Sequence, residues 1–201
     1  MAGIPIKSRL SVPNRKLTGR DSIPSTLLGL ALGVCLLSCA PEPEPMDVVE
    51  ATISQVQEAI VSGRTTCRMV VQAHLDRIEA YDETTVNAIT VLNPNSLARA
   101  DEIDAAVEAG ESLGSLFCVP MLVKDNFDTH DMVTSGGSIS LIENFPPDDA
   151  FMVKKIREED AIIIAKTNMA EWAFSPRESV SSSFDTTANA YDLERVPAGS
   201  S

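Results

Sequence analysis

Aromatic residues are scarce in this chain, and basic residues are outnumbered by acidic ones. Only 4% of the 201 residues are aromatic, with a single Trp, so there is little material for the stacking surfaces that bind single-stranded nucleic acid. Lys and Arg total 16 against 29 Asp and Glu, for a formal net charge of −13. Because an acidic chain repels a phosphate backbone, nucleic acid is excluded as a predicted partner.

Several binding motifs are also lacking. The sequence contains no phosphate-binding loop, no dinucleotide glycine fingerprint, and no His, Cys and carboxylate set at a specific metal-ligand spacing. His130 lies near Asp128 and Asp131 in a polar loop, but the spacing of these residues matches no specific metal-binding motif. We therefore predict neither a metal nor another cofactor.

Charge is unevenly distributed along the chain. Residues 1–40 hold five basic residues and one acidic residue, a net charge of +4, which leaves −17 on residues 41–201. The basic segment leads into Leu27–Leu37, eleven residues without a charge. This run is too short to span a bilayer, which takes ~20 apolar residues, but it fits the apolar core of a secretory signal, ~7–15 residues.

The end of this apolar run has a second feature. Leu36-Leu37-Ser38-Cys39 resembles the lipobox of bacterial lipoproteins, in which the cysteine is lipidated and becomes the first residue. The Pro- and Glu-rich residues 40–46 favour an extended tether. We therefore expect residues 1–39 to be a signal peptide and the protein to be extracytoplasmic, anchored to the membrane by a lipid on Cys39. Plain secretion, or a short anchor helix with a Pro-rich linker, remains the alternative.

Two cysteines lie in the body of the chain. An oxidising compartment would permit a disulfide between Cys67 and Cys118. The sequence is equally consistent with two small buried thiols, because it does not show the distance between the two cysteines.

Apolar periodicity in the acidic body predicts alternating helices and strands. Strand, helix and strand in one unit indicate an α/β core with parallel pairing. The polar residues 175–201 are predicted to be irregular. The predicted helices cover Asp47–Ser62, Cys67–Tyr81, a segment capped by Ser96 and ending at Ala109, a segment capped by Asp149 and ending near Glu159, and a short helix with Glu171 and Trp172; the predicted strands cover Ala88–Leu92, Val119–Val123 and Ala161–Ala165.

Each of the two buried strands is followed by a lysine. Taken singly, Lys124 and Lys166 are better explained as solvated residues at strand ends, although ligand sites in open α/β sheets do lie there. Four segments in this order, however, resemble the amidase signature family over residues 47–201. They are Val119–Asn126, the lysine strand; Ala161–Trp172, similar to the family's Gly-Lys-Thr-Asn stretch; Asn189–Asp192, similar to an Asn-Pro-aromatic-Asp segment; and Arg195–Ser201, similar to the start of the serine-rich signature.

The resemblance implies a fold and an activity. The fold is an α/β amidase signature fold, a mixed sheet flanked by helices, of which residues 47–201 form the N-terminal part. The activity is hydrolysis of a small-molecule amide to a carboxylate and ammonia or an amine, without a cofactor. Lys124 matches the catalytic lysine, and Ser200 matches a proton-relaying serine that follows a cis peptide bond in the family. The loop Gly136-Gly137-Ser138 lines the site in this interpretation.

The third member of the family's triad is a nucleophilic serine further along the chain. It would lie beyond residue 201, so the chain as written is expected to lack the nucleophile and to be inactive. The alternative is a non-catalytic lipoprotein with a degenerate amidase fold. The glutaminase-type subunit of the transamidosome is a family relative, but its work is cytoplasmic, and the export signal argues against that role here.

Overall fold

The computed structural model describes residues 42–198, which form helices packed on a small mixed sheet. Short turns of other helix types lie at Asp82–Val86, Ile139–Leu141 and Glu171–Ala173. The helices are α1 (Ile53–Val61), α2 (Cys67–Tyr81), α3 (Ser96–Ala109) and α4 (Phe151–Glu158), and the strands are β1 (Ile89–Leu92), β2 (Pro120–Lys124), β3 (Ile162–Thr167), β4 (Val180–Ser181) and β5 (Asp185–Thr186).

Three helix starts differ from prediction. Helix α1 begins at Ile53 instead of Asp47, because Thr52 and Gln55 form a reciprocal capping box: each side chain accepts a hydrogen bond from the other's backbone N–H. Helix α4 begins after Ala150, and Asp149 is not its cap. The Asp149 carboxylate instead accepts hydrogen bonds from His130. Helix α2 has the predicted bounds, and α3 ends at Ala109 as predicted. Ser96, predicted to cap α3, is instead its first residue, and Asn95 is the N-cap.

The three-stranded sheet has the order β1–β3–β2. Strands β2 and β3 are parallel, as predicted, and β1 runs antiparallel to β3, so the sheet is mixed. Central strand β3 is buried from Ile162 to Lys166. Strands β4 and β5 form a two-residue antiparallel ladder in the segment predicted to be irregular.

A β-bulge lies between the two parallel strands. Their register steps from Met121–Ile163 to Leu122–Ala165, so Ile164 is an extra residue of β3 opposite β2. After this step Val123 pairs with Lys166, and Lys124 pairs with Thr167.

The core has two parts, one on each face of the sheet. The first lies among α1, α2 and α3 and includes Ile162 and Ile164 of β3. The second lies under α4 and includes Val123, Val153 and Ile163. Within residues 42–198, no helix combines the length and apolar character needed to cross a membrane.

Cys67 and Cys118, whose pairing the sequence did not decide, form a disulfide. Cys67, the first residue of α2, is bonded to Cys118, with 5.6 Å between their Cα atoms. Both residues are fully buried in the first core.

The expected tether falls partly inside the described residues. Residues 42–46 have neither helix nor strand. They are nevertheless in contact with the body, because the Glu44 N–H donates to the Arg64 carbonyl at 2.9 Å and Met46 packs against the first core.

Candidate active site

The parallel pairing of β2 and β3 brings the two lysine motifs to one edge of the sheet. Lys124 is the last residue of β2, and Lys166 lies one residue before the end of β3. The carboxyl ends of parallel strands meet at the same edge, where ligand sites of α/β sheets lie. The structure therefore places together two of the four segments that carried the family resemblance.

Lys166 is fully buried and is not the solvated lysine that its position alone suggested. Its Nζ donates to the Phe127 carbonyl and the Thr134 hydroxyl, each at 2.7 Å, and to the Val133 carbonyl at 3.3 Å. An oxygen of Asp125 lies 3.5 Å from the same nitrogen. An ammonium has three N–H donors, so this set of acceptors uses all of them.

Burial lowers the pKa of Lys166, and the nearby Asp125 carboxylate acts in the opposite direction without fully restoring it. Because Lys166 is enclosed by partners from one loop, we interpret it as the anchor that fixes residues 127–134 to β3. Strand pairing, which a sequence does not display, creates this environment.

Asp125 organises the next part of the same loop. It is 1% exposed and accepts hydrogen bonds from the Ser135 N–H, the Ser135 hydroxyl and the Gly137 N–H. Gly137 has a φ of +75°, and a Cβ there would lie 3.0 Å from the Met169 carbonyl oxygen, so a side chain would be strained. Sequence reasoning missed Asp125 as a site residue. Its position directly after Lys124 was the available signal, and nothing in the sequence indicated Ser135.

Lys124 lies in a different setting. Side chains alternate along a strand, so Lys124 shares a sheet face with Leu122, opposite the face of Val123 and its partner Lys166. Leu122 is 47% exposed, and Lys124 is partly buried. Lys166 therefore lies inside the fold, and Lys124 lies on the sheet face where the side chain of Leu122 is half exposed.

The segment similar to the family's Gly-Lys-Thr-Asn stretch forms hydrogen bonds with the loops that follow β3. The Asn168 side chain donates to the Asp185 carbonyl at 3.1 Å and to the Thr187 hydroxyl at 3.0 Å. Hydrogen bonds from Ser138 and Ser182 hold the pKa of Glu171 below its usual range. These contacts connect the Gly136-Gly137-Ser138 loop to residues 168–187.

A cavity of about 280 Å³ opens beside this loop. Its lining includes Asn126, Gly136, Met169 and Trp172. Trp172 and the following Ala173 both have φ near +55°, a conformation that non-glycine residues seldom adopt and that is concentrated at functional sites. Gly136, which the family resemblance predicts to line the site, is thus among the residues that line this cavity.

Two predicted site residues lie outside the described residues. Ser200 and Cys39 fall beyond residues 42–198, so the structure places neither. The segment leading to Ser200 is described as far as Ala198. There Asn189 closes a tight turn by accepting the Tyr191 N–H at 2.9 Å and the Asp192 N–H at 3.2 Å.

The described residues also bring together His130, Asp131 and Asp149, whose ligand atoms lie within 4.8 Å of one another. The two carboxylates are already engaged, since Arg157 lies 2.7 Å from Asp131 and 3.1 Å from Asp149. Burial alone would raise the pKa of Asp149, but hydrogen bonds from His130 and the charge of Arg157 outweigh it and hold that pKa below its ordinary value. A cation there would have to displace a guanidinium, so the cluster is best explained as an ion-pair network.

Comparison with known proteins decides the family. The sequence profile of the amidase family matches residues 69–201. The chain belongs to the amidase family. A glutamyl-tRNA(Gln) amidotransferase subunit of Streptomyces coelicolor is 38% identical over 154 residues, which cover 77% of this chain and 31% of that protein. The chain therefore spans about a third of the length of the curated relatives it matches.

Solved structures agree with the expected amidase signature fold. The peptide amidase from Stenotrophomonas maltophilia superposes with a TM-score of 0.70 at 36% identity, over 75% of this chain and 32% of that one. An amidase family protein from Bacillus anthracis gives 0.71 at 30% identity, over 76% and 32%. The α/β prediction with a mixed sheet, covering part of the amidase fold, is confirmed.

Proposed function

We propose that the protein to which this amidase-family chain belongs hydrolyses carboxylic amides, releasing a carboxylate and ammonia or an amine. Lys124 serves as the base, Ser200 relays the proton, and a nucleophilic serine beyond residue 201 attacks the carbonyl. The observation that supports this assignment is the separation of the two lysines. Lys166 is fully buried under the loop that supplies Phe127 and Thr134, whereas Lys124 is partly buried, on the sheet face that it shares with half-exposed Leu122.

The chemistry follows from the needs of a serine nucleophile. A hydroxyl attacks an amide only when a base takes its proton. A lysine amine can do so when its surroundings favour the neutral form, and once protonated it can deliver a proton to the departing nitrogen. Asp125 and Lys166 do not react in this proposal. Their contacts hold the loop that follows Lys124 and so fix the backbone around it.

We further propose that the substrate is a small amide or a peptide amide handled outside the cytoplasm. The similarity to a peptide amidase supports the substrate class. The basic start, the apolar run before Cys39 and the Pro- and Glu-rich residues 40–46 support export and a lipid anchor on Cys39. A chain with this leader is a poor candidate for tRNA amidation, even though it is similar to part of a tRNA amidotransferase.

The proposal is tested with the protein expressed from its own reading frame at the source locus. Ammonia release from primary amides is measured for wild type, Lys124→Met and Lys155→Met. Lys155 is an exposed lysine of α4, paired with Glu158, and serves as the matched control. Loss of ~100-fold or more in kcat/KM for Lys124→Met alone supports the proposal, because a positioned base contributes at least that much. A wild type without activity on any amide would favour the non-catalytic lipoprotein.

A further inference from the structure

The Cys67–Cys118 disulfide joins two parts of the fold that are distant in sequence. The crosslinked residues are 51 positions apart, and the chain between them comprises α2, β1 and α3. Cys67 opens α2, and Cys118 lies two residues before β2 begins. The bond therefore ties the helical layer to the strand that ends in Lys124.

Both ends of the crosslink are also fixed by backbone contacts. The N–H groups of Cys67 and Arg68 donate to the two oxygens of Asp104, at 2.6 and 3.0 Å. The Cys118 N–H donates to the Asp160 carbonyl at 3.2 Å, and Cys118 has a φ of +57°. The backbone of each cysteine is thus held in position by a hydrogen bond to a residue outside the disulfide.

The disulfide is inaccessible in the folded protein. Cys67 and Cys118 are each 0% exposed, enclosed by side chains of α1, α2, α3 and β3. Exchange requires a thiolate to reach a sulfur atom, so a native chain offers no route for attack. A redox switch needs an accessible sulfur, and this bond lacks that property.

We propose that this disulfide is a permanent crosslink, formed as the chain folds after leaving the cytoplasm. The two thiols give up two protons and two electrons to the disulfide of an extracytoplasmic thiol–disulfide oxidoreductase, which becomes a dithiol. A mixed disulfide forms first, and the second thiol then displaces the carrier. This transfer has to precede closure of the core, because both sulfurs are enclosed afterwards. The inference rests on the proposed export and is independent of amide hydrolysis.

The test counts thiols in the whole chain, produced in a bacterial host with its own residues 1–39. Thiols are trapped in acid, labelled under denaturing conditions with a polyethylene-glycol maleimide, and counted by gel mobility. In the exported wild type, reduction before labelling is expected to add two labels. Cys67→Ser and Cys118→Ser are each expected to gain one label over unreduced wild type, because the partner is released. If the pair is free in the wild type, each variant loses one label, and the proposal is overturned.

This comparison of unreduced wild type with the two variants does not depend on how Cys35 and Cys39 are processed, since all three keep the native residues 1–39. It also tolerates variants that fail to fold, because labelling is done on denatured protein. Reductant added to native wild type is expected to leave the Cys67–Cys118 bond intact. The two thiols are released only when denaturant is also present. Labels added by reductant without denaturant, over the unreduced native wild type, would contradict the claim of a permanent crosslink.

A second arm separates failure of export from failure of the disulfide. Residues 1–39 are replaced by an unrelated secretory signal, and the thiols are counted again. An oxidised pair behind the new signal, with a reduced pair behind the native leader, refutes the proposed export and supports the disulfide. A reduced pair behind both leaders overturns the disulfide.

Discussion

Replacement of buried Lys166 by methionine is expected to be one of the most damaging single changes in the chain. Methionine has a similar length, so little cavity forms, and the main effect is loss of the ammonium. The carbonyls of Phe127 and Val133 and the hydroxyl of Thr134 lose their donor. Asp125 keeps its hydrogen bonds from Ser135 and Gly137 but loses its positive neighbour.

The size of the effect follows from burial. Lys166 is 0% exposed and Asp125 is 1% exposed, so water cannot replace the lost partner. Removing one member of a buried ion pair costs about 3–5 kcal/mol of unfolding free energy. With a urea m-value of ~2 kcal/mol/M, a loss of ~4 kcal/mol lowers the unfolding midpoint by about 2 M.

The assay is equilibrium urea unfolding followed by circular dichroism at neutral pH. Lys155→Met is the control, because Lys155 is an exposed lysine whose ion pair with Glu158 has an expected value of ~0–1 kcal/mol. Asp125→Asn combined with Lys166→Met completes a double-mutant cycle, for which we expect a coupling of roughly 0.5–3 kcal/mol. A cost below about 1 kcal/mol for Lys166→Met would refute the anchoring role.

Three further predictions concern stability. Asp149→Asn is expected to cost about 1.5–3 kcal/mol near neutral pH; because the folded pKa of Asp149 lies below its ordinary value of 3.8, this contribution is present above that value and lost as the pH falls through the folded pKa. Urea midpoints of wild type and variant should therefore converge in acid, and a constant difference down to the lowest pH would contradict the assignment. Replacing Cys67 and Cys118 together by alanine opens a 51-residue loop and should lower the unfolding free energy by about 4 kcal/mol, as measured by denaturant titration against reduced and oxidised wild type; an unchanged midpoint would argue against the crosslink. Thr52→Ala removes the side-chain half of the capping box and should cost ~1 kcal/mol by thermal melting, with Thr84→Ala, in an exposed turn, as the neutral control; equal melting temperatures for the two variants would count against the cap.

Local signals predicted much of the fold. Periodicity predicted the bounds of α2 and the end of α3, because an apolar stripe and a terminal capping residue or glycine are local features. The two apolar runs identified β2 and β3 and their parallel pairing. The start of α4 was wrong because Asp149, a good capping residue by type, bonds instead to His130, a residue 19 positions away.

The site was less predictable, because its decisive features are non-local. Lys124 and Lys166 come at the ends of similar apolar runs, and only the family resemblance distinguished them in the sequence. The bulge at Ile164 and the fold of the loop after β2 bury Lys166 against Phe127 and Thr134. The disulfide likewise depends on bringing together residues 51 positions apart, a geometry that composition does not contain.

The most direct test of the proposed chemistry replaces the Lys124 amine and then restores it. Lys124→Cys is made in the protein expressed from its own reading frame, and the new thiol is alkylated with 2-bromoethylamine, which returns an amine at nearly the same reach. Cys67 and Cys118 do not compete for the reagent, since they are bonded and buried. We predict a loss of ~100-fold or more in amide hydrolysis for the thiol form and a partial return on alkylation, with no such effect for Lys155→Cys treated in the same way. Wild-type activity in the unalkylated Lys124→Cys protein would contradict the assignment of Lys124 as the base.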